Sequence, residues 1–120
     1  MAKVLVTDDT AFMRQMLREL LEKEGHEIIE AETGTAAILA YRMYQPDVVI
    51  LDITMPEMDG LTCLRKLREE FPDAKVIMCS AMGQQDKVVE AIESGAKDFI
   101  VKPAHGNRIP AAVKKVLGEM

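Results

Sequence analysis

The 120 residues carry 15 Lys and Arg against 20 Asp and Glu, a net charge of −5 that argues against nucleic acid as the main partner. Hydrophobic residues make up 48% and charged residues 29%, the composition of one globular domain spanning 1–120 and able to bury a core. No apolar run approaches the roughly 20 residues that cross a bilayer, no signal peptide opens the chain, and Cys63 and Cys79 lie far apart, so no membrane attachment, a cytoplasmic location and reduced thiols are expected.

Short β-branched runs alternate with stretches of helical periodicity. A first strand is expected over residues 4–6. Met13, Met16, Leu17, Leu20 and Leu21 then repeat at spacings of three and four, and Gly25 offers a left-handed stop. A second strand, 27–29, precedes a helix from about 33 to 44 that Pro46 closes. The third strand, 48–51, leads to a helix carrying Leu61, Leu64 and Leu67 that ends before Pro72. The fourth, 76–78, is followed by a helix presenting Val88, Val89 and Ile92 and stopping at Gly95. The fifth, 99–101, leads to a helix with Val113, Val116 and Leu117, for which Asn107 is the expected N-cap and Pro110 fits the first turn.

Each pair of successive strands is thus separated by one crossover helix, as parallel strands require. The fold class is α/β, a parallel sheet with helices on both faces. The runs at 48–51 and 76–79 are continuously apolar, as strands covered on both sides are. Spacing alone leaves the strand order open.

In such sheets ligands bind outside the carboxyl ends of the strands. The polar residues just past those ends are Thr7, Asp8 and Asp9; Asp52 and Thr54; Ser80; and Lys102. Three carboxylates, a hydroxyl and an ammonium therefore meet along one edge. Crowded carboxylates repel unless a cation intervenes, and an all-oxygen set of this kind suits Mg²⁺. Three carboxylates sum to −3, and Mg²⁺ with Lys102 supplies +3. An acyl phosphate of roughly −2 in place of one carboxylate adds only about one further negative charge. Ser80 and Lys102 are suited to receive its oxygens, and an Asp that accepts a phosphoryl group is familiar covalent chemistry.

Five segments, VTDD at 6–9, DVVILD at 47–52, MPEMDG at 55–60, CSA at 79–81 and GAKDFIVKP at 95–103, make the chain resemble response-regulator receiver domains of the CheY type. The resemblance runs from the first strand to the last helix. It implies a flavodoxin-like, doubly wound five-stranded parallel sheet of order 2-1-3-4-5 with five helices. It also implies Asp52 as phosphoacceptor, Asp9 as a direct Mg²⁺ ligand, Asp8 holding a coordinated water, and the Thr54 carbonyl as a further ligand beside Asp52. Ser80 would be the switch hydroxyl, Lys102 the partner of the phosphoryl group, and Phe99 the switch aromatic. A cis bond between Lys102 and Pro103 is part of the same pattern.

The implied protein is a stand-alone response regulator, with no output domain after the fifth helix, that catalyses its own phosphoryl transfer and dephosphorylation and is not otherwise an enzyme. Its partners would be a chemotaxis-type histidine kinase and a flagellar motor switch protein, met through the fourth helix, fifth strand and fifth helix. The alternative is a phosphorelay intermediate or phosphate sink whose recipient is a histidine phosphotransferase. The segment 79–85 resembles chemotaxis regulators that use a dedicated phosphatase. An isolated receiver is expected to be a monomer. Ala104 departs from the pattern, standing where an aromatic, usually Phe, is common.

Two other classes share parts of the pattern. A flavin-binding flavodoxin would offer hydroxyls and amides to a phosphate after strand one, where this chain has Asp8 and Asp9. A haloacid-dehalogenase-like phosphatase would carry a second Asp two residues after Asp52, where this chain has Thr54. Taken singly, Asp8 or Asp9 reads as a helix N-cap, Ser80 as a turn residue and Lys102 as a solvated lysine. His26 and His105 read as surface histidines, and the nine Met as adaptable packing.

Overall fold

The computed structural model describes residues 2–104 and 106–118. The elements are β1 (Lys3–Thr7), α1 (Ala11–Glu22), β2 (Glu27–Ala31), α2 (Gly34–Tyr44), β3 (Val48–Leu51), α3 (Gly60–Glu70), β4 (Val76–Ser80), α4 (Gln85–Glu93), β5 (Asp98–Val101) and α5 (Arg108–Val116). The strands form one parallel sheet in the order β2-β1-β3-β4-β5, the flavodoxin-like arrangement expected.

Strand alternation divides the core into two layers. Leu5, Val49, Leu51, Val76 and Met78 face one side, where they meet Ala37 of α2, Leu61, Leu64 and Leu67 of α3, and Ala91 of α4. Val4, Val6, Ile50, Ile77 and Cys79 face the other, against Leu17 and Leu21 of α1 and Ile109 and Val113 of α5. Residues such as Leu5, Ile50, Leu51 and Ile77 are wholly buried, and each contributes roughly 1.5–3 kcal/mol of transfer free energy. The two free cysteines are both buried, one in each layer. Burial pushes the Cys63 thiol up to about 12 and the Cys79 thiol up to about 11.

Register brings the strand ends together. Thr7 pairs with Leu51 across β1 and β3, so Asp8 and Asp52 each follow a matched residue and emerge side by side. Ser80 pairs with Val101 across β4 and β5, which places Lys102 immediately beyond. The helices begin where side chains can cap them. Thr10 accepts from Met13 N–H at 3.3 Å, Thr33 from Ala36 N–H at 3.1 Å, and Asp59 from Thr62 N–H at 2.9 Å.

Several local expectations need correction. Asn107 stands at the N-cap position of α5, as expected, but makes no side-chain cap bond. Its ψ of 3° departs from the extended backbone from which a cap side chain reaches the first turn. The apolar face of α4 is only partly covered: Ala91 is its buried residue, while Val89 and Ile92 are 45% and 47% exposed. His26 is buried, because its Nδ1 accepts the Ala2 N–H at 3.1 Å and ties the α1–β2 turn to the start of β1. His105 lies outside the described residues. Pro110 sits in the first turn of α5, and the bond between Lys102 and Pro103 is cis, both as expected.

Candidate functional site

Asp8 and Asp9 leave the end of β1 before α1 begins. Asp8 turns its side chain back on the chain: Oδ1 accepts the Thr10 N–H at 2.9 Å and the Thr10 hydroxyl at 3.0 Å, a local turn that short carboxylates favour. That turn leaves the Thr10 hydroxyl to cap α1, so the N-cap is Thr10 and neither aspartate. Asp52 sits just past β3, with its Oδ1 accepting the Ile53 N–H at 2.7 Å.

Lys102 joins the two carboxylates. Its Nζ donates to Asp8 Oδ2 at 2.8 Å and to Asp52 Oδ2 at 2.9 Å. Asp8 and Asp52 are nearly buried and Lys102 is 18% exposed at its side chain. Burial pushes the Asp8 carboxyl up, but the Lys102 ammonium and the Thr10 donors outweigh it and hold the group below its ordinary value. Burial likewise pulls Lys102 down, while the two carboxylates more than compensate and raise it. The lysine therefore stays charged.

Asp9 is exposed, yet one oxygen from each of Asp8, Asp9 and Asp52 falls within a 4.8 Å span. Three carboxylates against one ammonium leave the cluster at −2. A hard divalent cation matches both that charge and the all-oxygen donor set. The carboxylate repulsion expected from the sequence is thus partly relieved within the chain, with Lys102 serving the two buried members.

Ser80 closes β4 at 1% exposure. Its Oγ accepts the Met82 N–H at 3.1 Å, and its carbonyl accepts the Lys102 N–H at 2.9 Å. Thr54 lies exposed on the loop after Asp52, and its hydroxyl donates to the Met82 thioether at 3.2 Å. Phe99 stands apart from the carboxylates on β5, partly buried, paired with Met78 and packed on the layer that contains α3 and α4. Ala104 is buried at 1% within the opposite layer.

Two supports lie behind the site: Gly60, which the sequence places at a turn or helix start, and Arg14, which the sequence does not single out. Gly60 opens α3 directly behind Asp52: a Cβ there would lie 1.9 Å from the Asp52 carbonyl oxygen, and the Gly60 N–H donates to the Ile53 carbonyl at 2.7 Å. Only hydrogen fits. Arg14, 8% exposed on α1, donates from Nη1 to the Asp8 carbonyl at 2.8 Å. A cation in line with Leu17 and Leu21, three and seven positions along the same helix face, was the available signal.

Residues 4–114 match the response regulator receiver domain family. The chain is 50% identical over 116 residues to the chemotaxis protein CheY of Bacillus subtilis (strain 168), covering 96% of this chain and 97% of that protein. It is also 50% identical over 119 residues to protein CcdB of the same organism, covering 98% and 99%. Among solved structures it is similar to the CheX-CheY-BeF3-Mg+2 complex from Borrelia burgdorferi, with a TM-score of 0.92 and 40% identity over 95% of this chain and 87% of that one.

Proposed function

The chain belongs to the response regulator receiver family, and from that premise we propose that it is a single-domain switch, 1–120, phosphorylated on Asp52 by a histidine kinase. Its proposed output is a chemotaxis signal relayed to the flagellar motor switch. The observation that carries the chemistry is the cluster itself: three carboxylates within 4.8 Å, two of them bridged by Lys102. The output reading is supported by likeness to CheY-named chemotaxis proteins across nearly the whole chain.

In the forward step an Asp52 oxygen attacks the phosphorus of a phosphohistidine. The P–N bond breaks, its electron pair stays on the imidazole nitrogen, and that nitrogen takes up a proton. In the reverse direction water attacks the aspartyl phosphate, releasing inorganic phosphate and restoring the carboxylate. Asp8, Asp9, Asp52 and the Thr54 carbonyl are the residues that would hold Mg²⁺, which when bound lends positive charge to the transferring oxygens. Lys102, already 2.9 Å from Asp52, neutralises the charge that arrives. Ser80 accepts a hydrogen bond through Oγ and keeps its own proton to donate to a phosphoryl oxygen. Turning that proton toward Asp52 draws on the loop that holds Met82, and Phe99 is the aromatic whose rotation carries the change to the surface. That surface is α4, β5 and α5, where Val89, Ile92 and Val101 are exposed. The Borrelia relative was solved with CheX and BeF3, which supports a dedicated phosphatase as a further partner.

The test is incubation with acetyl phosphate and Mg²⁺ followed by intact mass measurement. One phosphoryl group is expected on the wild type, none in chelator and none on Asp52→Asn. Equal labelling of Asp52→Asn would place the acceptor elsewhere and overturn the assignment.

A further inference from the structure

Arg14 is the most deeply buried cation among the described residues, and its guanidinium spends its three nitrogens on three different acceptors. Nε meets Glu30 at 3.0 Å, Nη2 meets Glu32 at 3.3 Å, and Nη1 meets the Asp8 carbonyl at 2.8 Å. The two glutamates account for a staple between α1 and β2. They do not account for the third bond, which reaches a main-chain oxygen between two acidic residues.

That oxygen matters because a peptide unit is planar: the Asp8 carbonyl, the Asp9 N–H and the Asp9 Cα move as one body. Upstream of it, the Asp8 N–H is tied to the Ala31 carbonyl at 3.2 Å. The Asp8 carboxylate is tied to Thr10 and Lys102. Among the described residues the Asp9 carboxylate has no hydrogen bond of its own. The main chain that carries it is held on one side by the peptide plane that Arg14 bonds and on the other by the Thr10 N–H bond to Asp8 Oδ1.

We propose that Arg14 is a positioning residue that fixes the Asp9 carboxylate beside Asp8 and Asp52, an inference that rests on the reading of these three as the Mg²⁺ site. Lysine is a poor substitute. Its ammonium is a point donor and cannot hold three acceptors in one plane. Arg14 belongs to the class of outer supports that orient a ligand without touching the ion.

The experiment is Mg²⁺ titration by calorimetry on the wild type, Arg14→Lys and Glu30→Gln, each well below its melting temperature in chelator. Both variants weaken the α1–β2 staple, but Glu30→Gln keeps the bond to the Asp8 carbonyl. Arg14→Lys is expected to raise the Mg²⁺ dissociation constant about tenfold or more, while Glu30→Gln stays close to wild type. Equal affinities for Arg14→Lys and wild type would overturn the proposal, as would equal weakening in both variants. A wild type that binds no Mg²⁺ would overturn the metal reading itself, and the proposal with it. If Arg14→Lys does not fold, Arg14→Gln replaces it, with the same two outcomes.

Discussion

α3 and α4 lie side by side on one face of the sheet and are held in different ways. α3 buries Gly60, Leu61, Cys63, Leu64 and Leu67, and both carboxylate oxygens of Asp59 engage Thr62 at its first turn. α4 buries Ala91, has Gln84 at its N-cap without a side-chain cap bond, and turns Val89 and Ile92 to solvent. One helix is an anchor and the other is free to shift at small cost in buried area. The anchored helix is the one that touches the Asp52 loop, through Gly60. The loosely held one follows the loop after Ser80. In the proposed switch this arrangement keeps Asp52 still and leaves the output surface movable.

The contrast can be broken most directly at Leu64. Leu64→Ala should cost about 3 kcal/mol through transfer loss and cavity formation, lowering the melting temperature by about 12 °C. Gly60→Ala comes next. Forcing a methyl group against the Asp52 main chain should cost about 2 kcal/mol, and it should slow acetyl phosphate labelling because the acceptor is displaced. Asp59→Ala should remove about 1 kcal/mol, the usual worth of an N-cap, and near-unchanged thermal unfolding would show that α3 is anchored by its core alone.

The same cap has a pH signature. Burial pushes the Asp59 carboxyl up, but the Thr62 N–H and hydroxyl and the Leu61 N–H outweigh it and hold the group below its ordinary value. A group lowered on folding adds stability that is present above its unfolded value and lost as pH falls through the folded one. The melting temperature should therefore drop below about pH 4 more steeply in the wild type than in Asp59→Asn. The smallest effect belongs to α4. Ile92→Ala should change stability by no more than about 0.5 kcal/mol, while weakening binding of the phosphorylated protein to a motor switch peptide. A loss as large as that of Leu64→Ala would erase the distinction between the two helices.

The alternation of strands and helices was legible because each element carries its own period. All five strands and five helices lie where β-branched runs and three-four spacings put them. The strand order came through family resemblance, since crossover lengths are alike and do not say which side of β1 the chain takes. Asp8, Asp9, Asp52 and Lys102 could be gathered from their positions just past strand ends, and they do converge. Periodicity failed where it had to say what covers a face. Val89 and Ile92 sit on an apolar stripe, but among the described residues they stay 45% and 47% exposed. His26 was misplaced for the converse reason, because its partner is a main-chain N–H twenty-four residues away. Gly60 and Arg14 act through space and through a carbonyl, which no spacing of side-chain types records.

Gly83 sets a limit on how this molecule can diverge. Any side chain there would meet the Val101 Cγ2 at 2.8 Å, and Val101 is among the apolar residues that β5 shows to solvent. A methyl group at 83 therefore requires the partly exposed Val101 side chain to shift or to shrink. Positions 83 and 101 should therefore vary together among descendants, a bulkier residue at the first accompanied by a smaller one at the second. The loop beyond Ser80 and the strand beside it would then be inherited as a pair, so that a change at the β5 surface leaves its trace in the turn after Ser80.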